Sequence, residues 1–124
     1  MDFPNKLPEA QLPDGKTLSV SVSPFLKSVV DRLKDAYHPD AIYLFGSQAR
    51  GTANPESDID LLVIVDDAAD RTRRGSQLAY RVLRPLGKAI DVLIWWHSKF
   101  FEETASNTSL PSTVIKEGIL LYAT

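Results

Sequence analysis

The chain has 124 residues, of which 44% are hydrophobic and 24% are charged, and its formal net charge at pH 7 is −2. This length suits one domain with a single core, and the small negative charge excludes bulk electrostatic capture of nucleic acid. The absence of cysteine excludes a disulfide framework and a thiolate metal site. The chain start lacks the cationic and apolar stretches of a signal peptide, and no apolar run approaches the ~20 residues of a membrane helix, so we expect a cytoplasmic protein.

The N-terminal part of the chain is predicted to hold an arm followed by a helix. Residues 1–22 contain several prolines and little hydrophobic pattern, so we interpret them as an extended arm before one domain over residues 23–124. The weak alternation of residues 16–22 either adds an edge strand or leads into the helix. Pro24, preceded by a serine N-cap, begins the helix. Apolar residues then recur at helical spacing until the residue before Pro39, where the helix ends.

Three apolar runs are predicted to form a mixed sheet. Residues 41–45 and 59–65 are apolar on both faces and therefore central, and residues 89–96 supply the third strand. The short polar loop between the first two runs permits antiparallel pairing, whereas a helix predicted at residues 70–86 suits a parallel crossover to the third. Two short helices and an apolar end complete the domain.

The predicted helix at residues 70–86 is strongly basic. Its first-turn arginines oppose the helix dipole, so we expect either an anionic neighbour or a frayed start. These side chains form either a solvated face or a contact for a partner protein or nucleic acid. The basic residues are Arg71, Arg73, Arg74, Arg81 and Arg84.

Three aspartates lie where the predicted second and third strands begin. Asp58 and Asp60 are two residues apart at the head of the second strand, so both side chains leave the same face. Asp91 lies near the head of the third strand, which is parallel to the second and therefore starts at the same sheet edge. Gly46-Ser47, at the end of the first strand, is expected beside Asp58. Carboxylates at the head of a buried apolar strand are costly unless they are paired or bind a cation, so the pattern predicts a site at this edge.

These residue types fit chemistry at phosphorus. Clustered carboxylates offer the hard oxygen ligands that Mg²⁺ or Mn²⁺ prefers, and two such ions stabilise an in-line displacement at phosphorus. Gly46 at a strand end lets backbone N–H groups approach phosphate oxygens, and Ser47 adds a hydroxyl donor. Arg50 either contacts a triphosphate or pairs with one of the acids. We interpret His38 and His97 as helix-terminus residues rather than as ligands or bases.

The ordered set of a Gly-Ser pair and three aspartates resembles the polymerase-β-type nucleotidyltransferase superfamily. The stretch that carries it is FGSQARGTANPESDIDLLVIVDD, followed by AIDVLIW, and it is more narrowly similar to the minimal nucleotidyltransferases. This resemblance covers residues 24–122. It implies an α/β fold with a three-stranded mixed sheet, with room for one extra edge strand, flanked by helices.

The resemblance also implies roles for the site residues. Asp58 and Asp60 would bind two Mg²⁺ ions, for which Mn²⁺ is a substitute, and Asp91 would bind the catalytic ion and help to activate the acceptor hydroxyl. Gly46 and Ser47 would hold the phosphates of ATP, with pyrophosphate as the leaving group.

The function implied by the resemblance is that of an antitoxin. Minimal members of this family are commonly paired with a HEPN-type toxin, and transfer AMP from ATP to a tyrosine of the toxin. Little of the chain follows the third strand, so we expect a second protein to help recognise the acceptor.

Two alternatives to AMP transfer onto a toxin stay open. One is nucleotidylation of a small molecule, as aminoglycoside nucleotidyltransferases perform it, with a separate acceptor-binding subunit. The other is a non-catalytic module that masks a toxin or binds a nucleotide. Nucleic-acid polymerisation is disfavoured because the net charge is negative and only one helix is basic.

Overall fold

The computed structural model describes residues 24–46, 49, 58–87 and 89–124, in which helices flank one sheet. The elements are α1 (Pro24–Tyr37), β1 (Ala41–Phe45), β2 (Ile59–Val65), α2 (Gln77–Leu83), β3 (Ile90–Trp96), α3 (His97–Glu103), α4 (Leu110–Glu117) and β4 (Ile119–Ala123). Single 3-10 turns at Arg71–Arg73 and Arg84–Leu86 lie before and after α2. No helix in this described part of the chain is long and apolar enough to cross a membrane.

The first helix, α1, forms where the sequence predicts it because its apolar residues share one face. Leu26, Val29, Leu33 and Tyr37 are buried, and they pack with apolar residues of the strands in one core. The residue that follows the helix, His38, turns the chain with a φ of 47° and is exposed. The interpretation of His38 as a helix-terminus residue is therefore confirmed.

The sheet has four strands in the order β3-β2-β1-β4. Strands β1 and β2 are antiparallel and β2 and β3 are parallel, as the lengths of their connections predict. The fourth strand is the apolar end of the chain, β4, which pairs antiparallel with β1. The predicted α/β fold with a mixed sheet and one extra edge strand is therefore confirmed. The candidate edge segment 16–22, like the whole arm 1–22, lies outside the described residues.

Helices cover both faces of the sheet, which explains why its central strands are apolar on both sides. On one face α1 and α2 pack against the sheet, and Leu61 and Val63 of β2 belong to that core. On the other face Phe100 of α3 and Val114 of α4 pack in a second core, to which Leu62 belongs. The strand β2 therefore lies at the centre of the molecule.

The prediction of one continuous helix over residues 70–86 is wrong, because side-chain hydrogen bonds interrupt it. The Asp70 carboxylate accepts the Arg73 backbone N–H at 3.3 Å and caps a single 3-10 turn. The Tyr37 hydroxyl donates to the Gly75 carbonyl at 2.6 Å and accepts the Ala79 N–H at 2.8 Å. These bonds hold the chain out of helical geometry until α2 begins. The expected anionic neighbour is Asp70, whose carboxylate lies 3.4 Å from Arg73 Nη2.

Candidate active site

Asp60 and Asp91 face each other across the β2–β3 pair. Their Cα atoms are register partners in the parallel ladder, and neighbouring strands lie about 4.8 Å apart. Each is the second residue of its strand, so both lie at the same edge of the sheet. Asp60 is half-buried and Asp91 is exposed. The structure thus brings together two of the three predicted carboxylates at an edge that substrate can reach.

The backbone of Gly46 packs directly on the carboxylate of Asp60. Gly46 follows Phe45, whose Cα pairs with that of Asp60, and it adopts a φ of 75°. A Cβ built on Gly46 would overlap Asp60 Oδ2 and lie 3.2 Å from its Cγ. Both the left-handed backbone and this close approach require glycine. The sequence predicted this turn beside Asp58, and the structure shows in addition that Gly46 contacts Asp60.

Asp58 lies at the same edge of the sheet, one residue before β2 begins. It is exposed and directly precedes β2, whose ladder with β3 begins where the Ile59 N–H donates to the Ala89 carbonyl at 3.2 Å. It is therefore close in sequence to the facing pair without being part of the paired strands. The predicted phosphate contacts Ser47 and Arg50 lie outside the described residues.

Comparison with known proteins identifies the family. The family model described as nucleotidyltransferase domain matches residues 26–121. The chain belongs to this family. A Methanocaldococcus jannaschii protein named "Putative protein adenylyltransferase MJ0604" is 33% identical over 99 residues, which are 78% of this chain and 94% of that protein. The chain is therefore a nucleotidyltransferase.

Solved structures of toxin–antitoxin pairs resemble this nucleotidyltransferase. One, a toxin–antitoxin with AMP-PNP, matches with a TM-score of 0.55 and 29% identity over 79% of this chain and 73% of that chain. Another, the toxin–antitoxin MntA-HepT, matches with a TM-score of 0.53 and 26% identity over 81% of this chain and 71% of that chain. Both alignments cover most of the domain.

The donor chemistry of the nucleotidyltransferase fits Mg²⁺ that is bound together with a nucleotide. Within the residues that the structure describes, no group of three or more His, Cys, Asp or Glu side chains is close enough to hold a metal ion. Asp60 and Asp91 thus offer a two-carboxylate face rather than a closed cage. Proteins commonly bind Mg²⁺ through one or two carboxylates, with substrate phosphates and water as the remaining ligands. A face of this kind fits that mode.

A second polar cluster lies at the opposite end of the sheet and is separate from the site. His97 Nδ1 lies 2.9 Å from the carboxylate of Asp40, which directly precedes β1. The neighbouring Asp67 accepts the Ser98 N–H at 2.9 Å. Hydrogen bonds from the Ser98 side chain and backbone lower the pKa of Asp67. The interpretation of His97 as a helix-start residue is confirmed, because it begins α3 and contacts this cluster.

Proposed function

We propose that this nucleotidyltransferase transfers AMP from ATP to a tyrosine hydroxyl of a HEPN-type toxin and thereby acts as its antitoxin. The observation that carries the proposal is the facing pair Asp60 and Asp91, with the Gly46 backbone packed on Asp60. The name of the relative from Methanocaldococcus jannaschii supports a protein as acceptor. The toxin–antitoxin assemblies among the structural neighbours, one with an ATP analogue, support a toxin as partner.

The proposed reaction is an in-line displacement at the α-phosphorus of ATP. The acceptor oxygen forms a bond to this phosphorus, the bond to the bridging oxygen of the β-phosphate breaks, and pyrophosphate leaves. Asp91, which is exposed at the sheet edge, accepts the proton of the hydroxyl. Asp60 is held in place by the strand pairing and by Gly46, so its carboxylate is oriented before substrate binds.

Asp60 and Asp91 are the residues that would hold Mg²⁺ in the arrangement seen here, and Asp58, which directly precedes β2, would complete the set when the nucleotide is bound. The ion, when bound, supplies positive charge that offsets the charge of the phosphates in the transition state. The chain itself contributes the orientation of these carboxylates, because the missing Cβ of Gly46 lets the Asp60 carboxylate lie against the end of β1.

The test is nucleotide transfer to a partner that co-purifies with the tagged protein from its own cells. The complex is incubated with Mg²⁺ and ATP labelled at the α-phosphate, and the labelled residue is located by mass spectrometry. We expect label on a tyrosine of the partner, and a loss on the order of 10²–10³-fold with Asp60→Asn or Asp91→Asn. Asp31→Asn, an equal charge change at an exposed position of α1, is the control and should keep full transfer.

Each other outcome leads to a different function. If the label appears only on an added small molecule, such as an aminoglycoside, then the acceptor is a small molecule and not a toxin. A stable partner that is never labelled, and that is still neutralised by the Asp60→Asn variant, would show that binding alone is the function. Label at the γ-phosphate instead of the α-phosphate would contradict AMP transfer.

A further inference from the structure

A basic and aromatic face on α2 has no partner within the described structure. Tyr80 is 45% exposed, and Arg81 and Arg84 beside it are exposed as well. Among the described residues, neither of these two arginine side chains forms a hydrogen bond or an ion pair. Other arginines nearby do have partners: Arg32 donates to the Val82 carbonyl, Arg73 pairs with Asp70, and Arg74 donates to the Ala69 carbonyl. Arg81 and Arg84 are thus available to an acidic ligand.

A small pocket lies within this face. It has a volume of about 240 Å³ and is lined by Tyr80, Leu83, Arg84 and Ile90. This is below the roughly 300–1,000 Å³ of pockets that hold whole small ligands, so it suits one or two side chains of a larger partner. Leu83 and Ile90 are almost wholly buried, so Tyr80 and Arg84 form most of the accessible wall. An aromatic ring beside a guanidinium favours an apolar side chain that is flanked by acids.

The pocket and the candidate active site lie at neighbouring positions of β3, on opposite faces of the sheet. Ile90 lines the pocket, and the next residue is Asp91, whose Cα is about 3.8 Å further along the chain. β3 is the end strand in the order β3-β2-β1-β4 of the described sheet. A segment seated in the pocket can therefore pass around this strand to the face on which Asp91 lies.

From this arrangement we infer that the Tyr80–Arg84 face docks an acidic segment of the protein that receives the nucleotide, and presents that protein's hydroxyl to Asp91. The inference rests on the proposed function for the identity of the occupant. A protein segment fits better than a nucleic acid, because two unpaired arginines on a chain of net charge −2 supply little of the positive charge that a phosphate backbone needs.

The binding test uses two short fluorescent peptides that contain one leucine and one tyrosine and differ only in charge. One carries Asp and Glu around the leucine, and the other carries Asn and Gln at the same positions. Anisotropy titrations without ATP should show the acidic peptide binding about fivefold tighter or more, with an advantage that falls as salt is raised. Arg84→Glu should remove this advantage, and a lysine-containing version of the peptide should bind this variant better than it binds the unmodified chain.

Lys116→Glu is the matched control. Lys116 is exposed and lies in the last turn of α4, so its reversal changes charge and helix dipole as reversal near the end of α2 does. It should leave peptide binding unchanged. Equal binding of both peptides, no binding of either, or an equal loss in both variants would overturn the inference. If a single-stranded oligonucleotide binds more tightly than the acidic peptide, and this binding depends on Arg84, then the occupant of the face is a nucleic acid and not a protein segment.

Transfer of label from ATP to the acidic peptide separates this inference from the proposed function. If transfer to the peptide does not depend on Arg84, the inference about the docking face is wrong, whereas the proposed AMP transfer to protein still holds. Arg84-dependent binding of the peptide, in a preparation that labels neither the peptide nor a co-purified protein, would support the face and count against the proposed reaction.

Discussion

Replacement of Gly46 by alanine should damage the site more than it damages the fold. Gly46 has a φ of 75°, and a Cβ on it would overlap the Asp60 carboxylate. The change therefore imposes two costs: a left-handed backbone with a side chain, and a displaced Asp60. Asp60 is half-buried and can rotate away from the new methyl group, but it then leaves its position opposite Asp91.

The two costs of Gly46→Ala can be given approximate sizes. A left-handed conformation costs an L-residue about 1–2 kcal/mol, and the overlap adds about 1–3 kcal/mol of overpacking. The free energy of unfolding should therefore fall by about 2–5 kcal/mol. A misplacement of about 1 Å in a catalytic group can lower the rate on the order of 10²-fold. We expect nucleotide transfer to fall by at least that factor in molecules that remain folded.

Gly87→Ala is the matched control for Gly46→Ala. Gly87 has a similar φ of 69°, and a Cβ on it would meet nothing within 4 Å. The Gly87→Ala variant should lose only the cost of a left-handed backbone, about 1–2 kcal/mol of the free energy of unfolding. It should keep full transfer activity. Urea unfolding gives the free energies, and transfer of α-labelled phosphate gives the rates. Normal transfer by the Gly46 variant, or equal losses in both variants, would refute the argument that Gly46 positions Asp60.

A double-mutant cycle locates the clash. An Asp60→Ala background removes the two closest atoms, Oδ2 and Cγ, and leaves the Cβ of residue 60 at an ordinary contact distance of 3.4 Å from the new methyl group. Gly46→Ala should then cost only the backbone term of about 1–2 kcal/mol. A coupling free energy near zero between the two positions would show that the stability loss comes from elsewhere.

Two further predictions concern contacts away from the site. Tyr37→Phe removes the hydroxyl that bonds Gly75 and Ala79, and because Ala79 is buried, the unpaired N–H should lower the free energy of unfolding by about 1–3 kcal/mol in urea titrations. An unchanged urea midpoint would contradict this role. Asp67→Asn should lower the melting temperature at pH 7, because hydrogen bonds from Ser98 lower the pKa of Asp67 below its usual 3.8. The carboxylate contributes stability above pH 3.8 and loses it as pH falls through the folded pKa, so the gap between the two chains should close in acid and stay constant from pH 5 to 8.

The edge at which Asp60 and Asp91 meet could be predicted because it depends only on the order and spacing of the elements. A short loop makes β1 and β2 antiparallel, and a crossover that contains a helix makes β3 parallel to β2. The first residues of β2 and β3 then lie at the same edge of the sheet for any register that keeps both strands buried. An acid two residues into each strand therefore lies at the same edge.

Two groups interrupt the predicted helix before α2: Asp70, which lies within the segment, and Tyr37, which lies in α1. The sequence marks the interruption, because residues 70–77 contain no apolar residue and Gly75-Ser76 directly precedes α2. The hydrogen bonds of the Tyr37 hydroxyl could not be predicted, because they come from α1. Local propensity is a weak preference of a few tenths of a kcal/mol per residue, and such tertiary bonds override it. The same limit applies to β4, whose apolar residues became a strand only because β1 offered them an open edge.

The contact between Gly46 and the Asp60 carboxylate depends on the register of β1 and β2, which the hydrophobic pattern does not determine. Because β2 is apolar on both faces, a slip of one residue between β1 and β2 would be marked in the sequence only by the change of face of Asp60. A slip of two residues would keep every side chain on its face and exchange Asp60 for Asp58 beside the end of β1. The pairing of Phe45 with Asp60 decides between these registers. In this register a Cβ at position 46 would overlap the Asp60 carboxylate, so the position requires glycine. The glycine is therefore explained by its contact with Asp60.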